Sequence, residues 1–285
     1  MEGLVYLFKY FEPARTDVIE DSTIRLTQPV DFNDPFEFKP VVSSVATQEE
    51  FNRLFEEIID AQVEKTLASY PLELRNLIPE KQLIEKTREF IKNNEGLIDS
   101  CFKNLGKETT RIFNEKSNEL IGVFCLTEQK DNLLMWSHYA DSHRGFCVKF
   151  DASDSFFDSR RGDKDEFYHL REVKYLAERP NKTLINMSGI DLLLLKSNFW
   201  AYEKEWRFCG VLNDSDIQRK LGASDIHLFK YPQRIVKEII LGVNATQELE
   251  NKFKLIISEN SGLSHVKLSK AKISETEYSL EFDDL

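Results

Sequence analysis

The sequence predicts an α+β fold with a mixed, mostly antiparallel sheet and a helical insertion. Short apolar runs of strand-like period flank a block of helical period at residues 41–118, so strands and helices are segregated instead of alternating as β-α-β units. No Gly-x-Gly-x-x-Gly and no Gly-x-x-x-x-Gly-Lys-Ser/Thr stretch occurs, which removes support for a Rossmann dinucleotide fold and for a P-loop. With no internal repeat, a single α+β domain is expected over residues 1–285, with 41–118 inserted into it.

Taken in order, Leu4–Tyr10 and Thr23–Thr27 read as strands, punctuated by Pro13 and the Glu20-Asp21-Ser22 cluster. Asn33-Asp34-Pro35 is a turn. From Thr47 the period changes. Phe51, Leu54, Phe55, Ile58, Ile59 and Val63 recur at helical spacing, and Thr47 with Glu50 forms a capping box that satisfies otherwise orphaned N–H groups. Pro79 opens a second amphipathic helix, with Leu83, Ile84, Thr87, Phe90 and Ile91 on one face, and helical character continues toward residue 118. Strand period returns at Leu120–Leu126, Gly145–Phe150, Val173–Leu176, Trp206–Leu212, Ile226–Lys230, Ile235–Val243 and Val266–Leu268. Short helices are expected at Leu133–Ala140, Ile190–Phe199 and Thr246–Ser258. The polar stretch 151–166 reads as an exposed loop.

The chain has 285 residues, 41% of them hydrophobic and 12% aromatic, ample for a sizeable core. Its 38 Lys and Arg against 49 Asp and Glu leave a net charge of −11, unlike a broadly basic nucleic-acid coat. No apolar run approaches the roughly 18–20 residues that span a bilayer, and the opening MEGLVYLFKYFEPAR does not read as a secretory signal. Cys101, Cys125, Cys147 and Cys209 are widely spaced, without a zinc or disulfide pattern. A cytoplasmic location without membrane association is expected.

Chemistry concentrates in three places. In FWAYEKEWRF (199–208), strand alternation sends Glu203, Glu205 and Arg207 to one face and Lys204, Trp206 and Phe208 to the other. Paired carboxylates there could stabilise a developing oxocarbenium ion, or the run could be a solvated strand face with Arg207 as counter-ion. The second cluster is Met135-Trp136-Ser137-His138-Tyr139-Ala140-Asp141, followed by His143-Arg144. Trp136, Tyr139, Ala140 and His143 share a helix face that could stack a nicotinamide or nucleobase, or pack the helix on the sheet. His138 and His143 are not spaced i, i+4, so no metal is expected. The third, Phe32-Asn33-Asp34-Pro35-Phe36-Glu37, is a rigid polar turn that could contact a ligand or serve only as a turn; Lys9 and Tyr10, ending the first strand, carry the same two readings.

In order, LFKY (7–10), FNDPFEF (32–38), GVFCLTE (122–128), LLMWSHYADSHRGFCVKF (133–150), WAYEKEWRF (200–208) and IVKEIILG (235–242) resemble a bacterial domain-of-unknown-function family, number two-nine-seven-one. More distantly, Glu203-Lys204-Glu205 looks like the Glu-x-Glu of ADP-ribosyltransferases, whose split sheet binds NAD without a Rossmann motif. That resemblance implies NAD as substrate, Glu205 as catalytic acid and Glu203 as the substrate-orienting one. Substrate contacts would come from Lys9, Tyr10, Asn33, Asp34, Trp136, His138, Tyr139, Arg144 and Arg207. Lys9 and Tyr10 stand where those enzymes carry an Arg or His, and no Ser-Thr-Ser follows on the second strand. The implied reaction is loss of nicotinamide with transfer of ADP-ribose to water or to a macromolecule, protein or nucleic acid. A toxin or phage-defence role, with a regulatory partner protein, fits the family analogy. The alternatives are a non-enzymatic phage-defence sensor or interaction module, and a nuclease holding magnesium with Glu203, Glu205, Asp141 and His138.

Overall fold

Alternating apolar residues build an eight-stranded sheet in the order Leu280–Asp284, Lys267–Ile273, Val236–Leu241, Phe146–Asp151, Tyr6–Phe11, Ile121–Thr127, Glu205–Val211 and Leu170–Glu172. This is a computed structural model; it describes residues 6–39, 41–222 and 224–285, so Leu4 and Val5 of the first expected strand lie outside the described residues. Neighbouring strands of this sheet run antiparallel except Val236–Leu241 and Lys267–Ile273, which are parallel and joined through helix Gln247–Glu259. A parallel pair needs such a crossover, whereas antiparallel neighbours do not. The fold is α+β, and the sheet is mixed and mostly antiparallel.

Strand alternation sorts the core onto two faces. Leu7, Phe11, Phe124, Leu126, Phe146, Phe150 and Phe208 pack on one side with Phe157 and with Phe253 of helix Gln247–Glu259. Phe8, Tyr10, Cys147 and Ile240 pack on the other with Met135, Trp136 and Ala140 from helix Leu133–Tyr139 and its end. Each fully buried Phe or Leu contributes on the order of 1.5–3 kcal/mol. That helix begins at Asn132, whose side chain accepts hydrogen bonds from the N–H groups of Leu134 and Met135.

One junction in the sheet is loose. Tyr6–Phe11 meets Ile121–Thr127 at the single register pair Phe8↔Thr127. Further along, Thr27 takes the same edge of the latter strand, exchanging both main-chain hydrogen bonds with Val123 at 2.9 Å. The sheet is therefore continuous in order but opens between these two contacts.

The chain forms two compact units. The sheet belongs to the unit made of residues up to Phe38, Lys116–Glu178 and Leu193–Leu285. This unit also holds a three-stranded sheet, Ile217–Leu221, Ser224–Lys230 and Thr23–Arg25, and the parallel pair Lys174–Leu176 with Leu195–Ser197. The second unit comprises Lys39–Glu115 and Arg179–Leu192. It contains helices Gln48–Ala68, Leu72–Arg75 and Glu80–Asn93, most of Glu95–Leu120, and a parallel pair, Val41–Ser44 with Asn181–Thr183. Its first long helix starts in the expected capping box: Glu50 N–H donates to Thr47 Oγ1 at 3.2 Å, and Thr47 N–H to Glu50 Oε2 at 2.7 Å. Ile59, Val63 and Leu67 form its buried stripe.

The helix expected over 190–199 is shorter and earlier, Gly189–Leu193. It gives way to strand Leu195–Ser197 and a 3-10 turn, Asn198–Glu203. The apolar run there satisfies its backbone by pairing with Lys174–Leu176, and Ser197 Oγ accepts from Phe199 N–H to start the turn. Among the described residues, no helix is long and apolar enough to cross a membrane.

Candidate functional site

The Glu-x-Glu-x-Arg run supplies its charges from two backbone conformations. Glu203 ends the 3-10 turn, Lys204 sits in the left-handed region at φ 43°, and Glu205 begins strand Glu205–Val211. Trp206 and Phe208 go to the aromatic core, while Glu205 and Arg207 face the other way, as alternation requires. The solvated-face reading is corrected here. Glu203 and Glu205 are 3% exposed and Arg207 is fully buried.

Burial of such charges is tolerable only when each is paired and hydrogen-bonded. Lys196 Nζ donates to Glu203 Oε2 at 2.6 Å and Glu205 Oε2 at 2.8 Å, and lies 3.0 Å from Glu37 Oε1 without hydrogen-bond alignment. Arg207 donates through Nε to Glu205 Oε1 (2.8 Å), through Nη2 to Glu37 Oε2 (2.5 Å) and through Nη1 to the Leu193 carbonyl (2.8 Å). Tyr139 Oη donates to Glu203 Oε1 at 2.6 Å and accepts from Asn33 Nδ2 at 2.9 Å. The Glu205 N–H donates to Tyr175 Oη at 2.8 Å.

Three carboxylates thus face two cations in one cluster. Burial alone would raise Glu205, but Arg207 and Lys196 hold it below its ordinary range. Glu37 is raised, because burial and neighbouring Glu205 outweigh Arg207 and Lys196. Burial opposes the charge on Lys196, yet Glu205, Glu37 and Glu203 keep its ammonium above the ordinary lysine value. Burial and Glu203 push the Tyr139 phenol up, so it stays a neutral donor.

The cluster lies on the wall of a cavity of about 210 Å³ at the opening in the sheet. Phe8, Lys9 and Tyr10 line it from one strand, Cys125, Leu126 and Thr127 from the other. Thr27, Asp31, Phe32, Asn33, Glu37, Met135, Tyr139, Lys196, Glu203 and Glu205 complete the lining. The three sequence-derived clusters therefore converge on one concavity.

Of the proposed site residues, Lys9, Tyr10, Asn33, Tyr139, Glu203 and Glu205 line the cavity, and Arg207 stands behind Glu205. Four others do not line it. Asp34 Oδ1 caps its own turn by accepting from Phe36 N–H. Trp136 is fully buried and donates through Nε1 to the Lys130 carbonyl, while His143 stacks on it at 6.1 Å from beyond the helix end. Arg144 is engaged by Asp141 in a two-point surface pair, and His138 is exposed. Asp141 and His138 are consequently not gathered with Glu203 and Glu205. Among the described residues no group of three or more His, Cys, Asp and Glu is placed to hold a metal ion, and the Lys196 ammonium occupies the point on which Glu37, Glu203 and Glu205 converge.

Sequence reasoning missed Lys196 and gave Glu37 no role. The signal for the first was a single cation after the run Leu192-Leu193-Leu194-Leu195, where a charge entering apolar surroundings needs acidic partners.

Residues 135–208 match the family model described as Protein of unknown function (DUF2971). The matched segment carries Tyr139, Lys196, Glu203, Glu205 and Arg207, whereas Glu37 and the Tyr6–Phe11 wall precede it. No curated protein and no solved structure matches the chain.

Proposed function

We propose that this chain is an NAD-consuming, ADP-ribosyltransferase-like enzyme. The observation that carries the reading is the placement of Glu203 and Glu205 on the wall of a cavity, in a buried cluster whose carboxylates outnumber its cations. When the nicotinamide–ribose C–N bond breaks, its electron pair leaves with nicotinamide and positive charge develops on the sugar. Fixed negative charge beside that carbon lowers the barrier, and carboxylates already oriented by Lys196 and Arg207 need no reorganisation as it forms. A hydroxyl or other nucleophile of a protein or nucleic acid, or water, then bonds to the sugar carbon and passes its proton to bulk water. Glu205 takes the catalytic role and Glu203, held by Tyr139, the orienting one. The cavity is below the roughly 300–1,000 Å³ typical of drug-sized ligands, so it suits the reacting nicotinamide-ribose end, with Phe8, Phe32 and Tyr139 among the residues that line it. Such an activity suits a cytoplasmic toxin or phage-defence effector under the control of a partner protein.

A second reading, a binding module without turnover, draws on the occupancy of Glu205: both of its oxygens are already bonded by Arg207 and Lys196. Incubation with NAD, with and without cell extract, separates the two by chromatography of free nicotinamide. The enzyme reading expects release that falls at least about 100-fold in Glu205→Gln, the scale of losing one transition-state electrostatic contact. Release no faster than from NAD alone in both conditions overturns it.

A further inference from the structure

The charges of the buried cluster do not balance, and its hydrogen bonds single out one acid. Glu205 has both oxygens bonded, Oε1 by Arg207 Nε and Oε2 by Lys196 Nζ, each at 2.8 Å. Glu203 likewise accepts on both, from Tyr139 Oη and from Lys196 Nζ, each at 2.6 Å. Glu37 accepts on one. Its Oε2 takes a bond from Arg207 Nη2 at 2.5 Å, while Oε1 has no hydrogen-bond partner among the described residues, although the side chain is 2% exposed and lines the cavity. Lys196 Nζ lies 3.0 Å from that oxygen but makes its hydrogen bonds to the other two acids.

A third negative charge in so dry a place is costly without its own counter-ion, and a proton on the free oxygen removes that cost. The charged groups around Glu37 come from several elements. Strand Glu205–Val211 presents Glu205 and Arg207, strand Leu195–Ser197 presents Lys196, and the 3-10 turn Asn198–Glu203 presents Glu203. Its own turn supplies Asp34, whose carbonyl accepts from Glu37 N–H at 3.3 Å. Lys9 and Asp31 line the same cavity, and Asp31 is engaged by Arg25. Burial, aided by Glu205, raises Glu37 against the pull of Arg207 and Lys196, in the same direction as the unfilled oxygen.

We propose that Glu37 sets the net charge that Glu203 and Glu205 present to the cavity. With Oε1 protonated, the two remaining carboxylates are balanced by Lys196 and Arg207, and the cluster is neutral. With that proton gone, the cluster carries one surplus negative charge, and Glu37 competes for the cations that hold the other two acids. Arg207 Nη2 is already shared, 2.5 Å from Glu37 Oε2 and 3.3 Å from Glu205 Oε2. Glu37 is thus a positioning residue that acts through Arg207 and Lys196 and has no need to touch the substrate. The consequence for rate rests on the NAD-consuming reading: positive charge developing on the sugar is better stabilised beside the ionised form, because a water-poor site screens that charge weakly.

The test takes the full chain, labelled with 13C at the glutamate carboxyl carbons, through a pH titration by NMR. The Glu37 signal is assigned by its loss in Glu37→Gln or, should that variant fail to fold, in Glu37→Asp. Its midpoint is expected above the ordinary glutamate value of about 4.5, and a midpoint at or below that value overturns the proposal. The second readout is nicotinamide release from NAD over the same pH range. Below the Glu37 midpoint the rate is expected to rise about tenfold per pH unit, the slope of a single ionisation, and to level off above it. Glu37→Gln should remove that rise, whereas Glu37→Asp should keep one with a displaced midpoint; a purely structural role would lower the rate alike at every pH. Release with one and the same pH profile in the native chain and in Glu37→Gln overturns the proposal and leaves the enzyme reading standing. A raised Glu37 midpoint with no release at any pH removes the enzyme reading and leaves Glu37 as the residue that sets the charge of the cavity.

Discussion

Replacing Lys196 with Met removes one positive charge from the centre of three buried carboxylates while keeping an unbranched, apolar side chain of similar length. In the native chain the Lys196 ammonium lies 2.6, 2.8 and 3.0 Å from Glu203, Glu205 and Glu37, and its side chain is 4% exposed. Arg207 alone would then face three acids. Breaking a buried ion pair from one side costs about 3–5 kcal/mol, because the partner's charge stays buried without compensation. At roughly 2–4 °C per kcal/mol for a large domain, Tm should fall by on the order of 10 °C. Scanning calorimetry and urea unfolding followed by circular dichroism measure this. The double variant Lys196→Met, Glu203→Gln removes one of the stranded charges and should recover about 1–3 kcal/mol of the loss, a coupling expected of groups in direct contact. A Tm change below about 2 °C for the single variant, the scale of an exposed pair, would refute the argument that this lysine neutralises the cluster.

The same cluster sets the pH dependence. Glu205 is held below the ordinary glutamate value of about 4.5 in the fold, so it takes up a proton in the unfolded chain first; its contribution is present above about pH 4.5 and is lost as pH falls further. Glu37 is raised above 4.5, so it contributes in the opposite sense, present at low pH and lost as pH rises through its elevated value. Urea midpoints between pH 3 and about 7 should show Glu205→Gln flattening the acid limb and Glu37→Gln the limb above it. Trp136→Ala should destabilise by about 3–5 kcal/mol in urea unfolding, because the ring is fully buried and its Nε1 partner, the Lys130 carbonyl, loses a donor. Gly145→Ala should cost at least about 1–3 kcal/mol in the same assay, since its Cβ would sit 2.0 Å from the Phe11 carbonyl oxygen in the neighbouring strand.

Local chemistry was readable wherever a few adjacent residues settle the outcome. Thr47 and Glu50 form the capping box their spacing predicts, and alternation correctly separates Glu205 and Arg207 from Trp206 and Phe208. The strand runs around 121–127, 146–151 and 236–241 were also visible as apolar segments, within a residue or two of their ends. Short edge strands such as Leu170–Glu172 and Leu280–Asp284 were not, because half-exposed polar sequence gives little periodicity. The site's decisive features depend on partners distant in sequence. Lys196 joins Glu37 across 159 positions, and the opening lies between the Phe8–Thr127 pair and the Thr27–Val123 bridge. Neither fact leaves a local periodic trace, and the apolar run before Lys196 read as helix because strand and helix are both compatible with so short a stretch.

The position of Tyr6–Phe11 bears on how the protein is made. This strand is interior to the sheet, yet its antiparallel neighbours are Phe146–Asp151 and, through Phe8 and Thr127, a strand 119 residues farther along. During synthesis it leaves the ribosome long before either neighbour, and at about 5–20 residues per second it waits several seconds with both ladders unmade. Its apolar side chains and bare edges make that interval the time of greatest exposure to misassociation, so nascent-chain chaperones should engage this segment until residue 151 has emerged.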